Sequence, residues 1–282
     1  MLELIKTYYP INEQLKPFIY CYYLISDTPD DLHNLHYSFP HTFNAVSIYK
    51  SARLTQQHRH FTLTGDGPHG RSLCLLQGKF QYPLLVELNG RISRLTILFK
   101  PLGLNQFMDQ PLGDLLDKSA SAISLWPDDV LKGLASQLFT ADDIDKRLKL
   151  LENHLLDIYH PSPQPLLENA LTYLADFAQD LSIKDIADRI NLPLRTFNRL
   201  FKMHLGVSPA AHRQIARFRH SLENKLFNEQ LQKLTTIGYQ SNFYDQSYFN
   251  KIYRQLSGSN PGKFFKSVQQ VGDSNLVFQF VK

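Results

Sequence analysis

Two stretches in the last third of the chain carry side chains that can bond the edges of bases. In the first, Arg195, Asn198, Arg199 and Lys202 fall at i, i+3, i+4 and i+7, so a helix puts them on one face. Phe197, Leu200 and Phe201 fall on the opposite face. In the second, Gln246, Ser247, Asn250, Lys251 and Arg254 share a polar arc, and Phe249, Ile252, Tyr253 and Leu256 share an apolar one. The apolar arcs must be buried, which turns the polar arcs outward. Arginine can bond guanine O6 and N7 together, and Asn or Gln can do the same with adenine N6 and N7. One charged helix face is usually no more than a solvated surface. Two such faces in the same setting point to duplex DNA.

That setting is repeated. Ile186-Ala187, Asn191 and Gly206-Val-Ser-Pro209 surround the first stretch, and Ile237-Gly238, Asn242 and Gly258-Ser-Asn-Pro261 surround the second. Phe197 to Gly206 and Phe249 to Gly258 each span nine positions. The copies lie roughly fifty residues apart, a period that calls for a duplicated structural unit. Each copy pairs a short helix with a second helix across a tight turn, which is the plan of a helix-turn-helix. Asn191 and Asn242 occupy the turn, where a positive φ is wanted, and Asn tolerates that conformation well. Small Ala187 and Gly238 sit where two helices must approach closely. The second turn is one residue longer, with seven positions from Asn242 to Phe249 against six from Asn191 to Phe197.

Other elements must hold these helices in place. Leu166 to Gln179 reads as a first helix. Ser182 and Asp185 form a capping box that opens the next. Ser208-Pro209 starts a longer helix to about Phe227 that joins the copies, with proline in the first turn, where its missing N–H costs little. Upstream, His160-Pro161-Ser-Pro163-Gln-Pro165 cannot continue a helix and reads as an extended linker. Asp142 to Tyr159 has Ile144, Leu148, Leu151, Leu155 and Ile158 at helical spacing. Asp114 to Asp117 and Trp126 to Phe139 extend that helical segment. Residues 1–110 instead hold short β-favouring runs: 18–25, 44–49, 72–76, 82–87 and 95–99. Residues 268–282 read as a tail or one extra strand from Leu276 to Val281.

Composition sets bounds. The 282 residues suit one large or two ordinary domains, and 43% hydrophobic against 20% charged residues suits a soluble globular chain. No apolar run reaches the length of a membrane span and the N-terminus lacks a signal peptide's layout, so a cytoplasmic protein is expected. Cys21 and Cys74, the two cysteines, read as reduced buried thiols in that compartment. Residues 161–282 hold fifteen Lys and Arg against nine Asp and Glu, while residues 1–160 hold fifteen against seventeen. The basic excess lies on the half that carries the repeat, which favours a polyanionic partner.

Residues 166–266 resemble the DNA-binding domain of the AraC/XylS family of bacterial transcription regulators. The resemblance rests on Ile186-Ala187, Asn191, Arg195-Thr-Phe-Asn-Arg-Leu-Phe-Lys202 and Gly206-Val-Ser-Pro209. In the second unit it rests on the unaltered run Asp245-Gln-Ser-Tyr-Phe249. It implies that each unit lays its second helix in a major groove, on one face of the duplex about one turn apart. Arg195, Asn198 and Arg199 would read bases in one segment, and Gln246, Ser247, Asn250 and Lys251 in the other. Lys202 and Arg254 would contact phosphate and set register. One chain would thus read a non-palindromic site. The sequence departs from the pattern at Pro193, which replaces a polar cap that must then come from elsewhere. It departs again at His212, where an aromatic is usual, at Gly238 for alanine, and at Asn260, which is still a good cap.

The resemblance further implies an N-terminal sensing or dimerising domain, often a cupin-type β-barrel. The expected fold is therefore multidomain α+β: a β-barrel or sandwich with a helical segment over 1–160, a Pro-rich linker at 161–165, an all-α tandem helix-turn-helix domain over 166–267, and a tail. A bacterial activator with no cofactor is implied, working with double-stranded DNA, RNA polymerase, a small-molecule effector and a second copy of the chain. The competing reading is a cupin-type metal-dependent enzyme with a helical appendage. His33, His36, His41, His58 and His60 invite it, since His58-Arg-His60 would place two imidazoles on one strand face. The next glutamate, however, is Glu87, and structural or surface histidine is the favoured reading, with no metal. Tyr20, Tyr22, Tyr23, Tyr37 and Phe39 read as core. No paired carboxylates, nucleophile–base constellation or phosphate-binding glycine loop supports catalysis. Nor do two isolated cysteines supply the reactive cluster of a methyl-transferring repair protein.

Overall fold

Alternation of side chains along the strands decides the N-terminal architecture. A computed structural model describes residues 5–67, 69–115, 120–121, 124–179, 181–227, 241, 243, 245–271 and 276–281. Strands β1 (Ile5–Tyr8), β2 (Ile19–Ile25), β4 (Asn44–Tyr49), β7 (Leu73–Gln77), β9 (Arg94–Phe99) and β10 (Ala120–Ser121) form one sheet, in the order β1-β2-β9-β4-β7-β10. Strands β3 (His33–Ser38), β5 (Ala52–Gln57), β6 (His60–Gly65), β8 (Leu84–Asn89), β11 (Gln269–Val271) and β12 (Leu276–Phe280) form the second, in the order β11-β12-β3-β8-β6-β5. All pairings are antiparallel except β6 with β8. Both sheets are open among the described residues, so of the two expected forms, barrel or sandwich, the chain takes the sandwich. The five expected β runs became β2, β4, β7, β8 and β9, while β1, β3, β5 and β6 went unread because polar residues such as those of His33–Ser38 break the apolar signal.

The first sheet is covered on both sides, which is why every residue of β4 and β9 is buried. On its outer face Tyr22, Val46, Ile48, Leu76, Leu95 and Ile97 pack against helices α2 (Asp128–Thr140) and α3 (Ile144–Asp157). Those helices contribute Leu131, Leu134, Leu138, Leu148, Leu151 and Leu155. Glu152 of α3 is buried, and its carboxylate accepts from the backbone N–H of Ile11 and Asn12, both at 2.8 Å, and from the Tyr22 hydroxyl at 3.1 Å. Cys21 and Cys74 are buried free thiols, and burial pushes them up to about 12 and about 11, so they stay protonated.

The C-terminal part is helical, with α4 (Pro165–Ala175), α5 (Ile183–Arg189), α6 (Leu194–Leu205), α7 (Pro209–Phe227), α8 (Gln246–Ser257) and α9 (Pro261–Ser267). Pro165, placed in the linker by sequence, is the first residue of α4. Helix α7 spans the range read from sequence and joins the two units. The tail returns to the β-domain: β12 pairs with β3, with Phe278 opposite Ser38 and Phe280 opposite His36.

His212, in the position usually aromatic, behaves as an aromatic. It is buried and meets the Phe201 ring edge-on at 5.4 Å, but its Nδ1 has no hydrogen-bond partner. Burial, with Lys79 nearby, holds His212 down at about 3, and burial with Arg94 nearby does the same to His36; His41 is lowered for like reasons. In the unfolded chain these imidazoles take up protons near pH 6.5. Below that pH the unfolded state binds protons that the native state excludes, so stability is full above pH 6.5 and is lost as pH falls. Urea midpoints should drop between pH 7.5 and pH 5. His212→Phe should flatten that dependence and, by removing an unsatisfied buried nitrogen, raise stability by about 1 kcal/mol.

Candidate nucleic-acid interface

The local sequence builds both second helices to the same plan. In the first unit, Ser182 Oγ accepts from the Asp185 N–H at 3.1 Å, and Asp185 Oδ2 accepts from the Ser182 N–H at 2.8 Å, which fixes the start of α5. Asn191 makes the turn at φ 55°, as its position required. Helix α6 then follows Pro193 with no side-chain cap, so the replacement expected for the missing polar cap is not there. Helix α8 is capped by Asp245, whose Oδ1 accepts from the Tyr248 N–H at 2.7 Å. Both helices end on a left-handed glycine, Gly206 at φ 75° and Gly258 at φ 77°. Each glycine N–H closes the last turn, on Lys202 O at 2.9 Å and on Arg254 O at 3.1 Å. Asn260 caps α9 by accepting from Lys263 N–H at 2.9 Å. Ile237, Gly238 and Asn242, read as the first helix and turn of the second unit, lie outside the described residues.

The apolar arcs are buried where the periodicity puts them. Phe197 and Phe201 pack into a cluster with Leu167, Leu174, Ile186 and Ala187. Phe249, Ile252, Tyr253 and Leu256 pack into another with Ile215, Phe218 and Phe264. This burial turns Arg195, Arg199 and Lys202 of α6 outward, and likewise Gln246, Ser247, Lys251 and Arg254 of α8; all seven are exposed. Asn198 and Asn250 are half-buried beside them. Neither helix contains an acidic residue. One detail was hidden from sequence: Asn198 Nδ2 donates to the Leu194 carbonyl at 2.8 Å, so a two-point bond to adenine would require releasing it.

Two comparisons bear on this geometry. A "Helix-turn-helix domain" family matches residues 186–267, and a "Domain of unknown function (DUF6597)" family matches residues 7–121. The HTH-type transcriptional activator RhaS of Escherichia fergusonii is 31% identical over 111 residues, 39% of this chain and 38% of that protein. The arabinose operon regulatory protein of Escherichia coli is 24% identical over 135 residues, 47% of this chain and 46% of that protein. Residues 186–267 carry the helix-turn-helix domain of AraC/XylS-type regulators. The chain's match spans less than half the length of these two AraC/XylS relatives. Among solved structures, ToxT from Vibrio cholerae aligns at 12% identity over 87% of this chain and 98% of that one, with a TM-score of 0.45.

The β-domain grips this helical half at several points. Lys79, buried between β7 and β8, donates from Nζ to Asn44 Oδ1 at 2.9 Å and to the Leu205 carbonyl at the end of α6 at 3.1 Å. Burial pulls its ammonium down to about 7. Arg219 of α7 donates to the carbonyls of Pro40 at 2.6 Å and Phe39 at 2.8 Å in the β3–β4 loop. Short helix α1 (Leu112–Leu115) lies against α6 so closely that a Cβ at Gly113 would sit 2.7 Å from Lys202 O. Sequence reasoning missed these residues, since a lone Lys, Arg or Gly carries no periodic signal. The histidine sites separate as follows: His58 sits in the β5–β6 turn at φ 52°, while His60 and His33 approach Glu87 at 3.0 and 3.7 Å. Among the described residues no group of three or more His, Cys, Asp or Glu could hold a metal, and no helix is long and apolar enough to cross a membrane.

Gly113→Ala should force α1 off α6 and cost about 1–3 kcal/mol of stability. Denaturant unfolding would measure it, and a wild-type midpoint would show that the close approach is not required.

Proposed function

We propose that the chain is a one-component, cytoplasmic transcription activator that reads DNA with α6 and α8 and answers to a small molecule held in the β-domain. The observation that carries this reading is the pair of exposed, acid-free helix faces in duplicated settings. Arg195 and Arg199 suit guanine, and Gln246, Asn250 and Asn198 suit adenine. Ser247 and Lys251 complete the second base-reading set. Lys202 and Arg254, nearest the ends of their helices, suit phosphate. Because the two faces differ, the site would be asymmetric, with the stronger guanine contacts under α6. RNA polymerase and a second copy of the chain are the protein partners such an activator would use. The relatives support this reading by name: RhaS is an activator, and the arabinose protein regulates an operon. No catalytic role is proposed.

Selection of binding sites from random DNA with the full chain should return a non-palindromic consensus. On that consensus Arg199→Ala and Lys251→Ala should each cost about 1–3 kcal/mol and relax preference at separate positions. Lys202→Ala should weaken all sequences alike and lower the salt slope by about 1. Unchanged sequence preference in both Arg199→Ala and Lys251→Ala would sink the base-reading assignment.

A further inference from the structure

The two faces of the first sheet differ in polarity, and the inner one mixes Ala45, Leu75 and Leu98 with polar side chains. The face against α2 and α3 is apolar. The face turned toward the second sheet, where a sandwich normally places its core, carries Arg94, Thr96, Ser47, Tyr49, Tyr23 and Gln77. Alternation in β9 puts Arg94 and Thr96 on that side, with Leu95 and Ile97 on the other. Ser47 and Thr96 bond one another at 2.8 Å, so their hydroxyls cost little. Arg94 is different. It is 6% exposed, its Nε has no partner, and its single hydrogen bond is NH1 to the Tyr49 hydroxyl at a long 3.4 Å. The Tyr23 and Tyr49 rings lie 5.4 and 5.8 Å from the guanidinium carbon and give a cation–π setting. Among the described residues no Asp or Glu lines the surrounding space. A guanidinium removed from water wants a carboxylate or phosphate opposite its fork, and the described residues offer none there.

Arg94 borders a cavity of about 40 Å³ that is otherwise walled by residues such as Phe61, Leu63, Val86 and Phe278. A second cavity, of about 50 Å³, shares Tyr23, Ser38, Gln77 and Phe278 with it. We propose that the space between the sheets binds a small organic monocarboxylate, its charge met by Arg94 and its body by the apolar wall of the second sheet. In the cavity that Arg94 borders it is the one Lys or Arg, set among neutral hydroxyls, which matches a single negative charge, and the cavity size matches a few non-hydrogen atoms. This names the chemistry of the effector in the function proposed above and rests on that reading only for its consequence.

The test uses the full chain and two matched pairs of probes: acetate with acetamide, and propionate with propionamide. Thermal shift and calorimetry should show at least one acid binding while its amide does not. Arg94→Met should weaken that acid at least about tenfold, and Arg94→Lys should retain part of the binding. If neither acid binds, if an amide binds as well as its acid, or if binding survives Arg94→Met, the site assignment is overturned. Should Arg94→Met fail to fold, the acid–amide comparison in the wild type still decides. Mobility shifts on the selected DNA, without acid, separate the two readings. DNA binding with no acid response removes the carboxylate site alone, whereas acid binding with no DNA binding removes the regulator reading alone.

Discussion

A cation taken out of water must find oxygen, and in this chain that requirement ties the two halves together. Lys79 and Arg219 are buried, and both donate to backbone carbonyls across the boundary between β-domain and helices. Lys79 takes the last carbonyl of α6, one that the helix cannot satisfy itself. Arg219 takes two carbonyls of the β3–β4 loop from the middle of α7. Because α7 is also the rod between the two helix-turn-helix units, holding it at Arg219 places both units against the β-domain at once.

Apolar packing then makes the boundary continuous. Phe39, from the same loop, meets Phe264 edge-on at 4.9 Å and joins the cluster of the second unit. Val277 of β12 belongs to that cluster too, while its neighbour Phe278 packs with Cys21, Tyr23 and Ile25 of the first sheet. Alternation along one returning strand thus sends successive side chains to two different cores. The tail is chemically bland in sequence, yet it adds two strands to the second sheet and closes the edge of β3.

The helical half was legible because its constraints are local. Caps at Ser182 and Asn260, the left-handed Asn191, and the arcs around Phe197 and Phe249 depend on residues a few positions apart, so spacing alone places them. Pro193 shows where this stops: a missing cap is visible in sequence, but that nothing replaces it is not. The β-half was legible only as five apolar runs. Its sheet order, the parallel β6–β8 pair and the arrival of β12 are long-range choices with no local trace. Arg94 shows the same limit at one residue. It stands directly before the run Leu95–Phe99 and reads as the polar edge of a strand. Only the pairing of β9 between β2 and β4, with helices on the opposite face, puts its side chain in the interior.

The polar interior of the sandwich and the boundary with the reader are not separate places. Tyr23, Ser38, Gln77 and Phe278 wall both inter-sheet cavities, and the second of these also touches Phe39, His41 and Arg219. Phe39 is packed on Phe264, and Arg219 is bonded to the Phe39 and Pro40 carbonyls. A displacement of Ser38 or Phe278 therefore bears directly on the loop that α7 holds. Close-packed interiors respond to such shifts by switching between discrete arrangements rather than deforming smoothly. The residues at that junction are aromatic and rigid, and the hydrogen bonds across it are to fixed backbone carbonyls. These contacts form a packed path from the sandwich interior to α7, the helix that also joins the clusters around Phe201 and Phe249.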